Sequence, residues 1–124
     1  MKRFLKFCVV GGSGAVVNLG LYWILTRYFL IYELLSYAIS IEISILSNFA
    51  LNNVWTFRDR KNSPLISRFT KFHLVSFGGM AINWCVFALL FTVFGVFDMY
   101  SAIGGIAVAT LWNYFINLKW TWRS

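Results

Sequence analysis

Charged and catalytic side chains are scarce in this sequence. Only 12% of its 124 residues are charged, four are acidic and one is a histidine, whereas about 25% of a soluble domain is charged. No carboxylate pair lies within one helical turn and no serine or cysteine has a base at a suitable spacing, which argues against covalent or acid–base catalysis. Cys8 and Cys85 lack the spacing of a metal or redox site. We therefore expect a non-enzyme without a metal or cofactor.

Apolar residues take the place of the missing charge and make up 60% of the chain. Four stretches carry almost no charge, at residues 7–26, 34–57, 72–97 and 99–118. Each is long enough to cross a hydrocarbon core of about 30 Å, which needs about 20 residues at 1.5 Å rise. The predicted fold class is an all-α integral membrane protein with four transmembrane helices and no separate soluble domain.

The eleven basic residues are distributed unevenly between the two sides that four spans would define. All except Arg27 lie before the first span, between the second and third, or after the fourth. By the positive-inside rule, this bias predicts a multi-pass protein of the cytoplasmic membrane with both termini in the cytoplasm. It also explains the net charge of +7 without nucleic acid, because no basic face lies outside the membrane.

The two halves of the chain repeat one pattern 65 positions apart. Residues 3–58 align without a gap with residues 68–123, and polar and aromatic identities recur in that register. We interpret residues 1–124 as one domain of two parallel-repeat helical hairpins, joined by a cytoplasmic linker at residues 59–67. Because the basic-apolar beginning recurs in mid-sequence, we expect the first helix to be retained rather than cleaved as a signal peptide. After Pro64 we expect a short interfacial helix.

Polar side chains inside the predicted spans are candidates for a polar path or for helix packing. Glu42 lies near the middle of the second span, where a carboxylate is costly and usually faces the bundle interior; its counterpart in the second half is Ala107. The full set is Glu42, Asn18, Asn83, Asn48, Asn52, Asn113 and Asn117. Two interpretations stay open: groups that orient a phosphate or sugar, or hydrogen-bonding residues that hold helices together, with Glu42 then protonated.

Each half ends in nearly the same four residues, WTFR at 55–58 and WTWR at 120–123. Trp55, Trp120 and Trp122 are where anchors at the membrane interface are expected. The basic residues that we expect at headgroup level, as binders of a lipid phosphate, are Arg58, Arg123, Arg3, Lys6, Arg68 and Lys71. The alternative is that these charges only set the topology.

The endings NFALNNVWTFR and NYFINLKWTWR, with RFLKFCVVGG and RFTKFHLV at the start of each half, resemble the GtrA-like family of small four-helix membrane proteins. The resemblance covers nearly the whole chain. Its specific positions are Asn48, Asn52, Trp55, Thr56 and Arg58, with Asn113, Asn117, Trp120, Thr121 and Arg123 in the second half, where Trp122 replaces Phe57. The resemblance implies a role in cell-surface polysaccharide synthesis.

Two functions follow from the resemblance. One is the flipping of a polyprenyl-phosphate-linked monosaccharide across the membrane. The other is a non-transporting scaffold that anchors a family-2 glycosyltransferase, similar to dolichol-phosphate-mannose synthase, and presents its lipid-phosphate acceptor. The expected partners are the bilayer, the lipid-linked sugar and a separate glycosyltransferase, and a homo-oligomer stays open. A small ion or drug transporter fits less well, because many of those are dual-topology dimers and the basic bias here fixes one orientation.

Overall fold

The structure is a computed structural model and describes residues 2–123. Its four long helices are α1 (Lys2–Arg27), α2 (Glu33–Leu51), α3 (Leu65–Ala88) and α4 (Asp98–Ile116). The last three each continue into one π-helical turn, at Asn52–Thr56, Leu89–Val93 and Asn117–Thr121. No β-strand occurs among the described residues, so the predicted all-α class is confirmed.

The helices and their π-helical turns form four segments that are long and apolar enough to cross a membrane. These segments are Lys2–Arg27, Glu33–Thr56, Leu65–Val93 and Asp98–Thr121, and the prediction of four spans is confirmed. Their ends extend beyond most of the predicted limits, because basic side chains can reach the interface while their backbone stays helical. The expected short interfacial helix after Pro64 is wrong, since those residues already belong to α3.

The chain divides into two units between Asp59 and Arg60. Each unit is a helical hairpin, with α1 packed on α2 in the first and α3 packed on α4 in the second. Most of the expected linker belongs to the second hairpin: Arg60 donates to the carbonyl of Leu118 at 3.3 Å, and the Asn62 amide donates to the carbonyl of Arg123 at 3.4 Å.

The two hairpin turns share one backbone path. The N–H groups of Phe29 and Phe94 each donate to the carbonyl five residues earlier, at 3.3 Å. The one residue of each turn with positive φ is Leu30 in the first hairpin (54°) and Gly95 in the second (66°), 65 positions apart. Glycine adopts this conformation without a steric penalty and leucine does not. The first turn is therefore the more strained of the two.

Small side chains let the helices of each hairpin approach closely. A methyl group at Gly14 would lie 2.3 Å from Oδ1 of Asn48, and one at Gly79 would lie 2.4 Å from Oδ1 of Asn113. The stripe facing the partner helix is small on both α2 and α4. Its members are Ser36, Ser40 and Ser44 on α2, and Ser101, Gly105 and Ala109 on α4. Such stripes drive helix association in lipid through close packing.

Each hairpin has an open end, which we define as the end where its first helix starts and its second helix finishes. A fully buried aromatic residue fills this end, Phe57 in the first hairpin and Trp122 in the second. Phe57 packs edge-to-face on Phe7, with ring centroids 6.2 Å apart, and Trp122 packs in the same way on Phe72 at 5.6 Å. Within each hairpin, the aromatic pair holds the first helix against the π-helical turn that ends the second helix.

Candidate functional site

The open end of each hairpin collects basic residues from two distant parts of the sequence. In the first hairpin the start of α1 contacts the π-helical turn Asn52–Thr56, and in the second the start of α3 contacts Asn117–Thr121. The six basic residues predicted at headgroup level therefore fall into one group of three in each hairpin. The groups are Arg3, Lys6 and Arg58, and Arg68, Lys71 and Arg123.

A lysine lies over a tryptophan ring at each open end. The Nζ atom of Lys6 is 5.5 Å from the ring centroid of Trp55, and that of Lys71 is 5.4 Å from the ring centroid of Trp120. An ammonium group at this distance is attracted to the negative face of the ring. Because it has three N–H donors, a lysine held in this way can still donate to a phosphate oxygen.

Arg3 is engaged by its own hairpin. Its guanidinium makes a two-pronged pair with the Asp59 carboxylate, with both N–O distances at 2.9 Å, and donates to the carbonyl of Thr56 at 2.9 Å. It also lies 5.5 Å from the centroid of the Phe57 ring. The pair is largely exposed, at 25% and 61% for the two side chains, so it contributes about 1 kcal/mol or less. It nevertheless fixes where the guanidinium points.

Arg68 occupies the same repeat position in the second hairpin but has a different environment. Its side chain is buried, with 6% of the residue exposed, and its Nη1 donates to the carbonyl of Ser63. Its Nε is buried and has no hydrogen-bond partner among residues 2–123. Of the six predicted basic residues, Arg58 and Arg123 are exposed, Arg3, Lys6 and Lys71 are half-buried, and Arg68 is buried.

The amides near the ends of α2 and α4 face into their own hairpins. Asn52 and Asn117 are buried, with 2% and 0% of the residue exposed, and in the second hairpin Thr121 donates to Oδ1 of Asn117 at 2.7 Å. Asn48 and Asn113 lie against Gly14 and Gly79, and their Oδ1 atoms are buried without a conventional partner in the described part of the chain. Because Oδ1 lies where a glycine hydrogen points, a weak C–H···O contact fits each pair.

The middle of the first hairpin is the more polar of the two. Glu42 is half-buried on α2, and Ser44 donates to the carbonyl of Gly14 at 2.8 Å. The Oδ1 of Asn18 and the Oγ of Ser40 are buried, and neither has a hydrogen-bond partner within residues 2–123. In the second hairpin, Asn83 lies against Gly105, where an added methyl group would meet its Oδ1 at 2.3 Å.

The three tryptophans predicted as interface anchors differ in exposure. Trp55 and Trp120 are 40% and 39% exposed, as a residue reaching the bilayer interface must be. Trp122 is fully buried instead, since its ring packs on Phe72 inside the hairpin. Sequence reasoning missed the burial of this position, although an aromatic residue at both 57 and 122 signals a repeated core position.

Residues 6–122 match the family described as GtrA/DPMS, transmembrane domain. The chain is also 33% identical, over all of its 124 residues, to a dolichol-phosphate mannosyltransferase of Pyrococcus furiosus. It spans 35% of the length of that relative, so the similarity concerns only a part of that protein.

Proposed function

The chain belongs to the GtrA/DPMS transmembrane-domain family, and we propose that it moves a polyprenyl-phosphate-linked monosaccharide across the membrane. Membership of this family and the four apolar helices indicate a multi-pass membrane protein with a role related to polyprenyl-phosphate sugars. The open ends of the hairpins face the cytoplasm, their basic groups take the lipid phosphate, and the polar residues at mid-span shelter the sugar.

The observation that carries the proposal is the pair of lysines held over tryptophan rings, Lys6 on Trp55 and Lys71 on Trp120. A cation already held in place loses less side-chain freedom when it binds an anion than a free surface lysine does. Arg58 and Arg123 are exposed and follow each tryptophan by three residues. Guanidinium groups bind phosphate with two hydrogen bonds, and basic clusters at the membrane surface attract anionic headgroups.

The polar groups at mid-span of the first hairpin support the second step, the passage of the sugar. A hydroxyl group moved into hydrocarbon without a hydrogen bond costs about 1–3 kcal/mol by protein data and more by alkane transfer. The Oδ1 of Asn18 and the Oγ of Ser40 are buried without a partner in the described structure, so each would gain a hydrogen bond from a sugar hydroxyl that entered between α1 and α2. The half-buried Glu42 lies on a different side of α2 from Ser40, two residues away, and adds a further acceptor at mid-span.

The direct test is transbilayer movement of a labelled polyprenyl-phosphate hexose in vesicles that contain the purified protein. The double variant Lys6→Ala and Lys71→Ala should slow this movement about tenfold or more, which corresponds to about 1.4 kcal/mol of lost binding at low substrate concentration. Lys119→Ala is the matched control, because this exposed lysine is in neither pair and should leave the rate within about twofold of the original.

Glu42→Gln tests the mid-span step separately from phosphate binding. It should reduce movement without changing the affinity for the lipid phosphate, because position 42 lies ten residues before the π-helical turn Asn52–Thr56, about 15 Å along the helix at 1.5 Å per residue. Circular dichroism and the elution volume in detergent show whether the variant remains folded. Normal movement in folded Glu42→Gln would remove this residue from the path.

A second candidate function is a scaffold that retains a glycosyltransferase and presents its lipid acceptor. It is favoured by one observation: a relative that is 33% identical to this chain is named as a dolichol-phosphate mannosyltransferase, and the chain spans 35% of its length. The scaffold predicts binding of the lipid phosphate without transbilayer movement of any sugar tested. It also predicts that a glycosyltransferase co-purifies with the protein and loses activity towards the lipid when the chain is removed.

A further inference from the structure

The second hairpin contains a buried arginine for which the described structure provides no counter-ion. Arg68 has 6% of its surface exposed, and its Nη1 donates to an uncharged acceptor, the carbonyl of Ser63. Its Nε lacks a partner in residues 2–123, and no carboxylate of that part of the chain pairs with it. A buried charge without compensation costs several kcal/mol. An anion bound here would remove that cost.

The first hairpin shows what kind of ligand a guanidinium at this repeat position accepts. Arg3, the counterpart of Arg68, holds two oxygens of the Asp59 carboxylate at 2.9 Å each. A phosphate group offers guanidinium the same two-pronged arrangement. The position 65 residues after Asp59 is a serine in the sequence, so the second half does not repeat this aspartate.

The guanidinium of Arg68 lies at the start of α3, a 24-residue helix. Side chains on a helix run towards its N-terminus, and Nη1 here reaches Ser63, the residue before the N-cap Pro64. The first helical hydrogen bond runs from the N–H of Arg68 to the carbonyl of Pro64 at 3.2 Å. The N–H groups before it have no side-chain cap, and the first turn contains no acidic residue.

A cation at a helix N-terminus is unfavourable by itself, because the aligned peptide dipoles place about half a positive charge there. The same dipoles and the uncapped N–H groups favour an anion. Lys71 lies three residues after Arg68, on the same face of the helix. The buried guanidinium, the helix N-terminus and this lysine therefore all favour the same ligand.

We propose that Arg68 and the first N–H groups of α3 form a binding site for a phosphate monoester or diester, and that Asp59 blocks the equivalent position in the first hairpin. The inference rests on the proposed function and deepens it, since it assigns the lipid phosphate to one of the two hairpins. The ligand is either the phosphate of a lipid headgroup or free phosphate. When phosphate binds, the hydrogen bond from the Arg68 guanidinium to the carbonyl of Ser63 breaks, and the guanidinium donates to a phosphate oxygen instead.

The test is a binding titration of the purified full chain with two probes. One probe is inorganic phosphate, added to the protein in a maltoside detergent, which carries no phosphate group. The other is a polyprenyl monophosphate in micelles of the same detergent, with the detergent alone as the blank. We expect one site per chain and at least about a tenfold loss of affinity in Arg68→Gln, as for the loss of one charge-assisted pair. Arg27→Gln is the matched control, because this exposed arginine at the far end of α1 belongs to neither basic group, and it should bind as the original does.

The variant Asp59→Asn tests the proposal without any change to Arg68, because it is expected to increase the number of phosphate sites. It removes the carboxylate from Arg3 and should create a second phosphate site, which the double variant Asp59→Asn, Arg3→Gln should lose. If Arg68→Gln does not fold, Arg68→Lys keeps the charge without the two-pronged geometry and should weaken binding to an intermediate degree.

The outcomes separate the two phosphate sources and the two proposals. Saturable binding of both probes, with inorganic phosphate displacing the lipid, assigns the site to phosphate itself; binding of one probe alone assigns it to that source. Binding of neither probe, or unchanged affinity in folded Arg68→Gln, overturns the site. Binding that depends on Arg68 in a protein that moves no lipid-linked sugar keeps the site and rejects translocation. If the protein moves the lipid-linked sugar but its affinity for phosphate is the same in folded Arg68→Gln, translocation is kept and the site is rejected.

Discussion

In the first hairpin Phe57 packs on Phe7 and Lys6 lies over Trp55, and in the second Trp122 packs on Phe72 and Lys71 lies over Trp120. These contacts recur 65 positions apart with nearly equal distances. The glycine–asparagine contacts recur in the same way, at Gly14 with Asn48 and at Gly79 with Asn113. A contact that both halves keep is one that the helical hairpin itself requires.

The two hairpins differ in charge and polarity. Arg3 is paired with Asp59, whereas Arg68 is buried with Nε unpartnered in the described structure. At mid-span, the repeat positions held by Ser40, Glu42 and Ser44 in the first hairpin are held by Gly105, Ala107 and Ala109 in the second. Among the described residues, the polar groups thus concentrate at mid-span of the first hairpin, and the buried cation without a counter-ion lies at the open end of the second. We expect the shared contacts to control stability and the differing ones to control ligand binding.

The largest expected effect of a single substitution is at the buried aromatic residue. Phe57→Ala and Trp122→Ala should each lower the free energy of unfolding by about 3 kcal/mol or more, because both leave a cavity in a fully buried site. Unfolding by SDS in mixed micelles measures the change.

Trp84→Ala is the control for that experiment, because this tryptophan is 70% exposed and should cost far less. Trp122→Phe gives the second hairpin the residue that the first hairpin has at position 57. It should lower the free energy of unfolding less than Trp122→Ala does. Equal losses in Trp84→Ala and Trp122→Ala would contradict the assignment of Trp122 to the hairpin core.

A smaller loss is expected at the helix crossings. Gly14→Ala and Gly79→Ala should each lower the unfolding free energy by about 1–3 kcal/mol, because the new methyl group would meet the Asn48 or Asn113 side chain at less than 3 Å. The same unfolding experiment applies.

Gly12→Ala is the matched control for the crossings, since nothing lies within 4 Å of an added methyl group there. It should be neutral or stabilising by up to about 1 kcal/mol, because alanine is the better helix former. Combining Gly14→Ala with Asn48→Ala should recover part of the loss. No recovery would mean that the clash is not with the amide.

The smallest effect is expected at the hairpin turns, and its sign should differ between them. Leu30→Gly should raise the unfolding free energy by about 0.5–1 kcal/mol, because it removes a side chain from a left-handed conformation; the greater freedom of glycine in the unfolded chain reduces the gain. Leu30 is 82% exposed, so little packing is lost. Gly95→Leu should destabilise by a similar amount. Changes of the same sign at both turns would show that their strain is not as different as the φ angles indicate.

Much of the fold could be predicted from the sequence because it depends on local properties. Four stretches with almost no charge, each long enough to cross the hydrocarbon core, predict four spans whatever their side chains contact, and the structure confirms them. The residues of the candidate site could be chosen because basic and aromatic residues recur at the end of each span. The cytoplasmic location of both termini, the repeat and the role of each site residue stay predictions.

The contacts at the open ends could not be predicted because they depend on a non-standard turn. In each hairpin the N–H after the π-helical turn donates five residues back, from Phe57 to Asn52 and from Trp122 to Asn117, at 2.8 Å. A π-helical turn changes the direction of the side chains that follow it relative to an α-helix. The 3.6-residue periodicity of an α-helix therefore does not predict which aromatic residues are buried here. Phe57 and Trp122 are buried, whereas Trp55 and Trp120 remain partly exposed.

The sequence by itself determined that four apolar helices fill most of the chain, since the length and charge of a segment decide whether lipid can hold it. Only the tertiary structure decided the state of each cation at the open ends. Arg3 and Asp59 are 56 positions apart and meet because α1 packs on α2. Arg68 is buried because α3 packs on α4 and its side chain folds back towards Ser63. Pairing and burial of charges depend on which helix lies beside which, and composition carries no information about that.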